Sequence, residues 1–298
     1  MRLRSSLLDG AVVLLSATTA VTAQTTFSGG IAWFMQVNGA PAGLVTQLQG
    51  VTPSLADVQA RLRNPQVMQK RMPSGAISSH YVVTQQPPMG RPMAEWLDGA
   101  VKGLASARGH GQLDLADHTN TVLARWTWTN GTIADVKLPA LSVDSKNPAQ
   151  ITVDILASDA VYQPGNGAKA PSSGNAPKTP LLDSFTLQIE GLPALHVATV
   201  AAYTVVPHGA CSPLTITFSA SDVAAFKAAG PSAPHAGTLL LQTADKTQVV
   251  FGLRWTGLHL TNLAAPPMSA ANATVARATA TFACDHVELS NLAAWTTI

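Results

Sequence analysis

Two stretches of this chain can be laid on each other without a gap: residues 124–142, ARWTWTNGTIADVKLPALS, and residues 251–269, FGLRWTGLHLTNLAAPPMS. Trp128 then meets Trp255, Pro139 meets Pro266 and Ser142 meets Ser269, each pair separated by 127 positions (255 − 128). Identity is low, so side-chain periodicity carries the comparison. Val122, Ala124, Trp126 and Trp128 alternate onto one face, and Val249, Phe251, Leu253 and Trp255 do the same. A period of two is that of a β-strand with one buried side.

The surroundings of the two stretches also agree. Leu113 and Leu115 precede a polar turn at residues 117–120, and Leu239 to Leu241 precede one at residues 243–246. Each pattern predicts a hairpin. Another strand follows each block, carrying Ile151, Val153 and Ile155 in one half and Ala278, Ala280 and Phe282 in the other. Each half opens with an extended stretch ending in glycine, at residues 34–39 and 185–191. A short helix fits before each hairpin. Met93, Trp96, Leu97, Ala100, Val101 and Leu104 share one face behind Pro92, and Ser219 or Ser221 can cap a helix bearing Val223 and Phe226, with Gly230 to end it. The first half has an extra piece: a capped helix expected from Ser54 to about Arg63, then a long loop over residues 64–92. The rival to duplication is two unrelated β-domains sharing a Trp-Pro-Ser coincidence. Agreement of periodicity, order and spacing favours duplication.

Between the halves, residues 164–180 hold Pro, Gly, Ser, Asn, Ala and Lys with little that enters a core, the composition of a flexible linker. The expected organisation is a secretory signal at 1–23, a first β-domain at 24–163, this linker, and a second at 181–298. The leader reading rests on Arg2 and Arg4, the apolar run from Leu7 to Val21, and the small residues before Gln24. The alternative, a membrane anchor, needs a longer apolar run of about 20 residues. No later segment is long and apolar enough to span a bilayer. Cys211 and Cys284 are the two cysteines of an exported chain, which favours a disulfide. A zinc site formed with His208 and His286 is the alternative, although the spacing is unlike familiar zinc motifs. A formal charge of +2 predicts no nucleic-acid partner. With only 11% charged residues, little repulsion opposes association.

The residues that carry the repeat also carry a likeness. The helix MAEWLDGAVKG, the strand ending Ala124-Arg125-Trp126 with Asn130 after it, the Leu141-Ser142 segment and the strand at 151–156 together resemble the C-terminal half of contractile-phage tail tube proteins. The stretch FMQVNG is similar to that family's first strand. The likeness covers most of residues 30–160 and, more faintly, 183–290. It implies a small β-barrel or sandwich with one main helix, shared with type VI secretion tubes, whose subunits close into stacked rings by extending sheets across their boundaries. Two domains per chain imply three chains in a pseudo-sixfold ring. The family is usually single-domain and lacks a leader, so an extracellular or envelope-associated ring, tube or filament is implied instead of a simple phage tail.

Motifs for chemistry are missing from the sequence. It holds no GxSxG, HExxH, Walker loop, EF-hand loop or CxxC. Trp126 and Trp128 could serve as a stacking platform, but alternation with Val122 assigns them to a core. Asp114, Asp117, Glu95 and Asp98 read as surface charge, and His118 as a solvated turn residue. Residues 130–132 and 272–274 are glycosylation sequons. The expectation is an all-β protein with short helices that assembles with itself, without cofactor, metal or reaction. The alternative is a secreted binding module, an adhesin or carbohydrate binder, using the 64–92 loop.

Overall fold

The computed structural model describes residues 31–51, 77–105, 107–171, 179–192, 195–228, 235–265 and 276–290. The long alternating stretches become the two longest strands, and each organises a barrel-like antiparallel sheet around itself. In the first half these are β1 (Ala32–Val37), β2 (Ala40–Gln49), β3 (Ile77–Gln85), β4 (Gly109–Ala116), β5 (Val122–Leu138) and β7 (Ile151–Pro164), with the short β6 (Leu141–Ser142) between the last two. The neighbours run β5-β4-β1-β2-β3-β7, and β7 pairs back onto β5 to close the ring. The β1–β2 connection is an Asn-Gly pair, Asn38 at φ 52° and Gly39 at φ 77°. A two-residue hairpin needs positive φ at both positions, which this dipeptide tolerates best. Helix α1 (Arg91–Val101) starts with Pro92 in its first turn and buries Met93, Trp96, Leu97, Ala100 and Val101. Leu104, expected on the same face, lies past the helix end and is 53% exposed.

The second half supplies β8 (Phe185–Ile189), β9 (Val197–Val200), β10 (Tyr203–Val205), β11 (Leu214–Ser219), helix α2 (Val223–Ala228), β12 (His235–Gln242), β13 (Val249–Ala264), β14 (Arg277–Ala283) and β15 (His286–Leu289). Ser219 caps the turn that leads into α2 by accepting from the Ser221 N–H, and Phe226 is buried.

The two halves share their register residue by residue. In the first, Gly111 faces Trp128, Leu113 faces Trp126 and Leu115 faces Ala124. In the second, Gly237 faces Trp255, Leu239 faces Leu253 and Leu241 faces Phe251. Further along the same strands, Ile133 faces Ile155 and Val136 faces Val153, while Leu260 faces Phe282 and Leu263 faces Ala280. Even the bulges correspond, at Ile133/Asp135 and Leu260/Asn262. A one-residue slip would turn every core side chain outward, so matched bulges keep matched faces.

Three features depart from the expected organisation. Strand β3 occupies residues 77–85 within the stretch read as a loop, and it forms the seam between β2 and β7. The opening of the expected linker is held down: Gly165 N–H donates to the Leu123 carbonyl, Ala170 N–H to the Asn120 carbonyl, and Ala170 is buried. The halves also exchange strands. β10 pairs with β5 of the first half, and β6 pairs with β9 of the second. One buried cluster accordingly runs through both, from Trp33 and Trp128 to Trp255 and Phe282. The leader at 1–23, the helix expected at 54–63, Gly230, the second sequon, Pro266 and Ser269 lie outside the described residues.

Candidate assembly edge

Closure is where the halves diverge. The second half repeats the pairings β12–β8, β9–β11, β11–β14 and β13–β14 that correspond to β4–β1, β2–β3, β3–β7 and β5–β7. Among the described residues it has no counterpart of β1–β2. Instead β6 from the first half lies on β9, with Leu141 facing Val200 and Ser142 facing Thr199. Strand β8 keeps only β12 as a neighbour among the described residues.

The orientation of β8 follows from its ends. Glu190 N–H donates to the Ala236 carbonyl at 2.8 Å, and Gln242 N–H to the Ser184 carbonyl at 2.8 Å. Antiparallel pairing alternates, so the even-numbered residues 184–190 face β12 and the backbone groups of Phe185, Leu187 and Ile189 face outward, the Ile189 carbonyl accepting from the Leu192 N–H. Their side chains point to the core: Ile189 is buried, and Phe185 and Leu187 are half-buried opposite Leu241 and Leu239. Among the described residues, nothing at this edge stops another strand from adding: none of the five in β8 carries a charge and none is proline.

The residues singled out from sequence fall in other roles. Trp126, Trp128 and Trp255 are core residues, each no more than 1% exposed. Trp126 packs between Trp33 and Tyr162, Trp128 against Tyr81, and Trp255 edge-on to Tyr203. Pro139 follows the end of β5, and Ser142 belongs to the strand that crosses to the second half. Cys211 and Cys284 are joined as a disulfide with Cα atoms 5.8 Å apart. Among the described residues no group of three or more His, Cys, Asp or Glu side chains could hold a metal, and no helix is long and apolar enough to cross a membrane.

Arg125 has a role the sequence reading missed. Its Nε donates to Asp114 Oδ1 at 2.6 Å and its Nη2 to Oδ2 at 3.1 Å. Asp114 is fully buried, not a surface charge, and Gln112 Nε2 also donates to it at 2.7 Å. The signal was available only through register, because β4 and β5 place these two residues opposite each other.

Two further polar sites were not foreseen. On the outer side of β3, β5 and β7, Lys137 Nζ lies 2.7 Å from Asp154 Oδ2 and 3.4 Å from Asp135 Oδ1, and His80 Nε2 lies 3.0 Å from Asp154 Oδ1. Burial and the neighbouring Asp154 hold the Asp135 carboxyl above the ordinary carboxylate value. Burial also pushes Asp154 up, but hydrogen bonds from Lys137, Asp135 and His80 outweigh it and leave this group below that value. With both oxygens of Asp154 engaged, this is a pinned ion cluster and not a free base. The second site is a groove of about 560 Å³ beside β6 and β9, lined by Val143, His196, Val197, Ser219, Ser221 and Arg277. Its charges are paired, His196 Nδ1 with Asp222 at 3.0 Å and Arg277 with Asp144 at 3.1 Å. No protein-family model and no curated protein matches this chain.

Proposed function

We propose that the chain is an exported structural subunit that assembles with itself into rings, tubes or filaments. The observation that carries this reading is the uncharged edge of β8, which has no strand neighbour among the described residues. Strand addition at such an edge gives backbone hydrogen bonds without a pocket, and a head-to-tail repeat of the contact generates a ring or a helical filament. The matched registers support taking residues 24–163 and 181–298 as two copies of one tail-tube-like domain, from which three chains make a pseudo-sixfold ring. No reaction and no cofactor belongs to this reading.

The test is negative-stain electron microscopy of the mature chain across a concentration series, beside the double variant Thr186→Lys/Gln188→Lys. Both substitutions place charge along the edge without touching the core-facing side chains. Wild-type rings or tubes that vanish in the variant, with an unchanged circular dichroism spectrum, are expected. Dispersed wild-type particles of monomer size at high concentration would sink the proposal. The groove beside β6 and β9 favours a second reading, a secreted binding module. A stable monomer that retains a ligand there would support it.

A further inference from the structure

The segment between β9 and β11 leaves the second sheet, reaches the first, and comes back. Ala201 N–H still donates to the Thr215 carbonyl. Residues 203–205 then pair with β5, Tyr203 facing Leu138 and Val205 facing Val136. A turn at Pro207–Gly209 reverses the chain, with His208 and Gly209 both at φ 66°. Cys211 returns it to the second half, bonded to Cys284 between β14 and β15. Helix α1 of the first half packs against both this turn and β15.

Side chains hold the strap as well: Tyr203 and Val205 are buried in the shared core, and the turn touches β5 and β15 besides α1. Ser212 Oγ donates to the Thr204 carbonyl at 2.9 Å, but both residues belong to the strap. Tyr203 sets its ring on Trp255 and its hydroxyl 3.7 Å from Cys284 Sγ. Both cysteines are half-buried, not sealed in the core. The counterpart of this break in the first half is uninterrupted: β7 runs on through residues 157–164, where the second half splits into β14 and β15 at Cys284-Asp285. The break and the bond therefore coincide at the place where the halves meet.

We propose that the Cys211–Cys284 bond is a redox latch on the contact between the two halves. A dithiol reductant cleaves the S–S bond in a two-electron step, leaves each cysteine as a thiol, and is itself oxidised to its cyclic disulfide. The strap then holds to β5 through three residue pairs and to the core through Tyr203 and Val205, a contact small enough to open locally while the rest of the fold stays closed. Release frees the Val136–Leu138 edge of β5 and the face of α1 that the turn covers, while the closed first ring keeps its own pairings. The inference stands apart from the assembly reading, because it concerns contacts inside one chain.

Hydrogen exchange followed by mass spectrometry tests it on the full mature chain, oxidised, treated with dithiothreitol, and as the Cys211→Ser/Cys284→Ser double variant. Peptides over residues 134–140 and 201–212 are expected to exchange roughly tenfold faster or more in the last two samples, with residues 32–49 unchanged. The double variant gives the same reading without reductant. Unchanged protection at 134–140 and 201–212 would overturn the latch. So would a uniform rise across all peptides, which marks a brace for the whole fold, or thiols that alkylate before any reductant is added.

Discussion

The first half closes its ring with its own strands, whereas in the second no described strand fills the equivalent seam beside β8, and β9 takes β6 from the first half. The difference sits just beyond one connection. Asn38-Gly39 turns β1 directly into β2. Glu190-Gly191 also makes a tight turn, with Gly191 at φ 76° and the Leu192 N–H donating to the Ile189 carbonyl, but β9 begins only at Val197 and pairs with β11. With the same register elsewhere, whether the strand after the turn pairs back onto the strand before it separates a closed barrel from one whose β8 has a single neighbour among the described residues. The outer faces differ in kind as well. Where the first half places Asp114 against Arg125, the second places Leu240 against Gly252, with Ser290 N–H donating to the Gly252 carbonyl.

The strongest test of the equivalence is at its centre. Trp128→Ala and Trp255→Ala remove indoles that fill corresponding positions, and each is expected to cost about 3–5 kcal/mol in chemical denaturation. A large loss for one with little for the other would break the correspondence. The next test probes the contrast instead. Arg125→Ala leaves Asp114 buried with only glutamine donors, for a loss of about 3 kcal/mol, whereas Asp114→Leu/Arg125→Met should return to within about 1 kcal/mol of the parent. Failure of that apolar pair to recover would mean that the ion pair does more than satisfy itself.

Glycines give a finer comparison. A Cβ at Gly111 would lie 1.8 Å from the Trp128 ring, whereas at Gly237 the nearest atom is the flexible end of Leu258 at 2.4 Å. Gly111→Ala should therefore destabilise by about 3 kcal/mol or more and Gly237→Ala by nearer 1 kcal/mol, read from denaturation midpoints. Equal effects would show that the indole over Gly111 moves aside.

The smallest effect concerns Asp135, whose counterpart at the matching bulge is Asn262. Its folded-state pKa is raised, so the unfolded chain gives up its proton first. Stability is lost as pH climbs from the ordinary carboxylate value through the raised one, and the loss persists at neutral pH. Asp154 has the opposite sign, its contribution being present above the ordinary value and lost as pH falls through the lowered one. Asp135→Asn should raise the melting temperature at pH 7 by the equivalent of about 1 kcal/mol or less and leave it unchanged at pH 3. A gain that is the same at both values would remove the carboxyl pair as its cause.

Period-two alternation was enough to read the strands, because a pleated strand buried on one face leaves no freedom in where its apolar residues stand. It placed Trp126, Trp128 and Trp255 in the core, and the equivalence of β5 with β13 down to the starting residue. The hairpin turns and α1 were legible for similarly local reasons. Strand β3 was not. Its neighbourhood in sequence is rich in Pro, Gln and Met, and its place depends on pairing with β2 and β7, both distant along the chain. Residues 165–170 read as linker because they have few apolar side chains, yet they are held through backbone groups, which composition does not report.

The amino-acid sequence determined the repeated β unit, since strand periodicity and turn chemistry are local properties. Tertiary structure alone decided which seam closes, which strands cross between the halves, that Asp114 is buried beneath Arg125, and that β8 has β12 as its single neighbour among the described residues. Each of these depends on which backbone groups far apart in the chain find one another, and a hydrogen-bonding N–H or carbonyl carries no residue identity for a sequence to display.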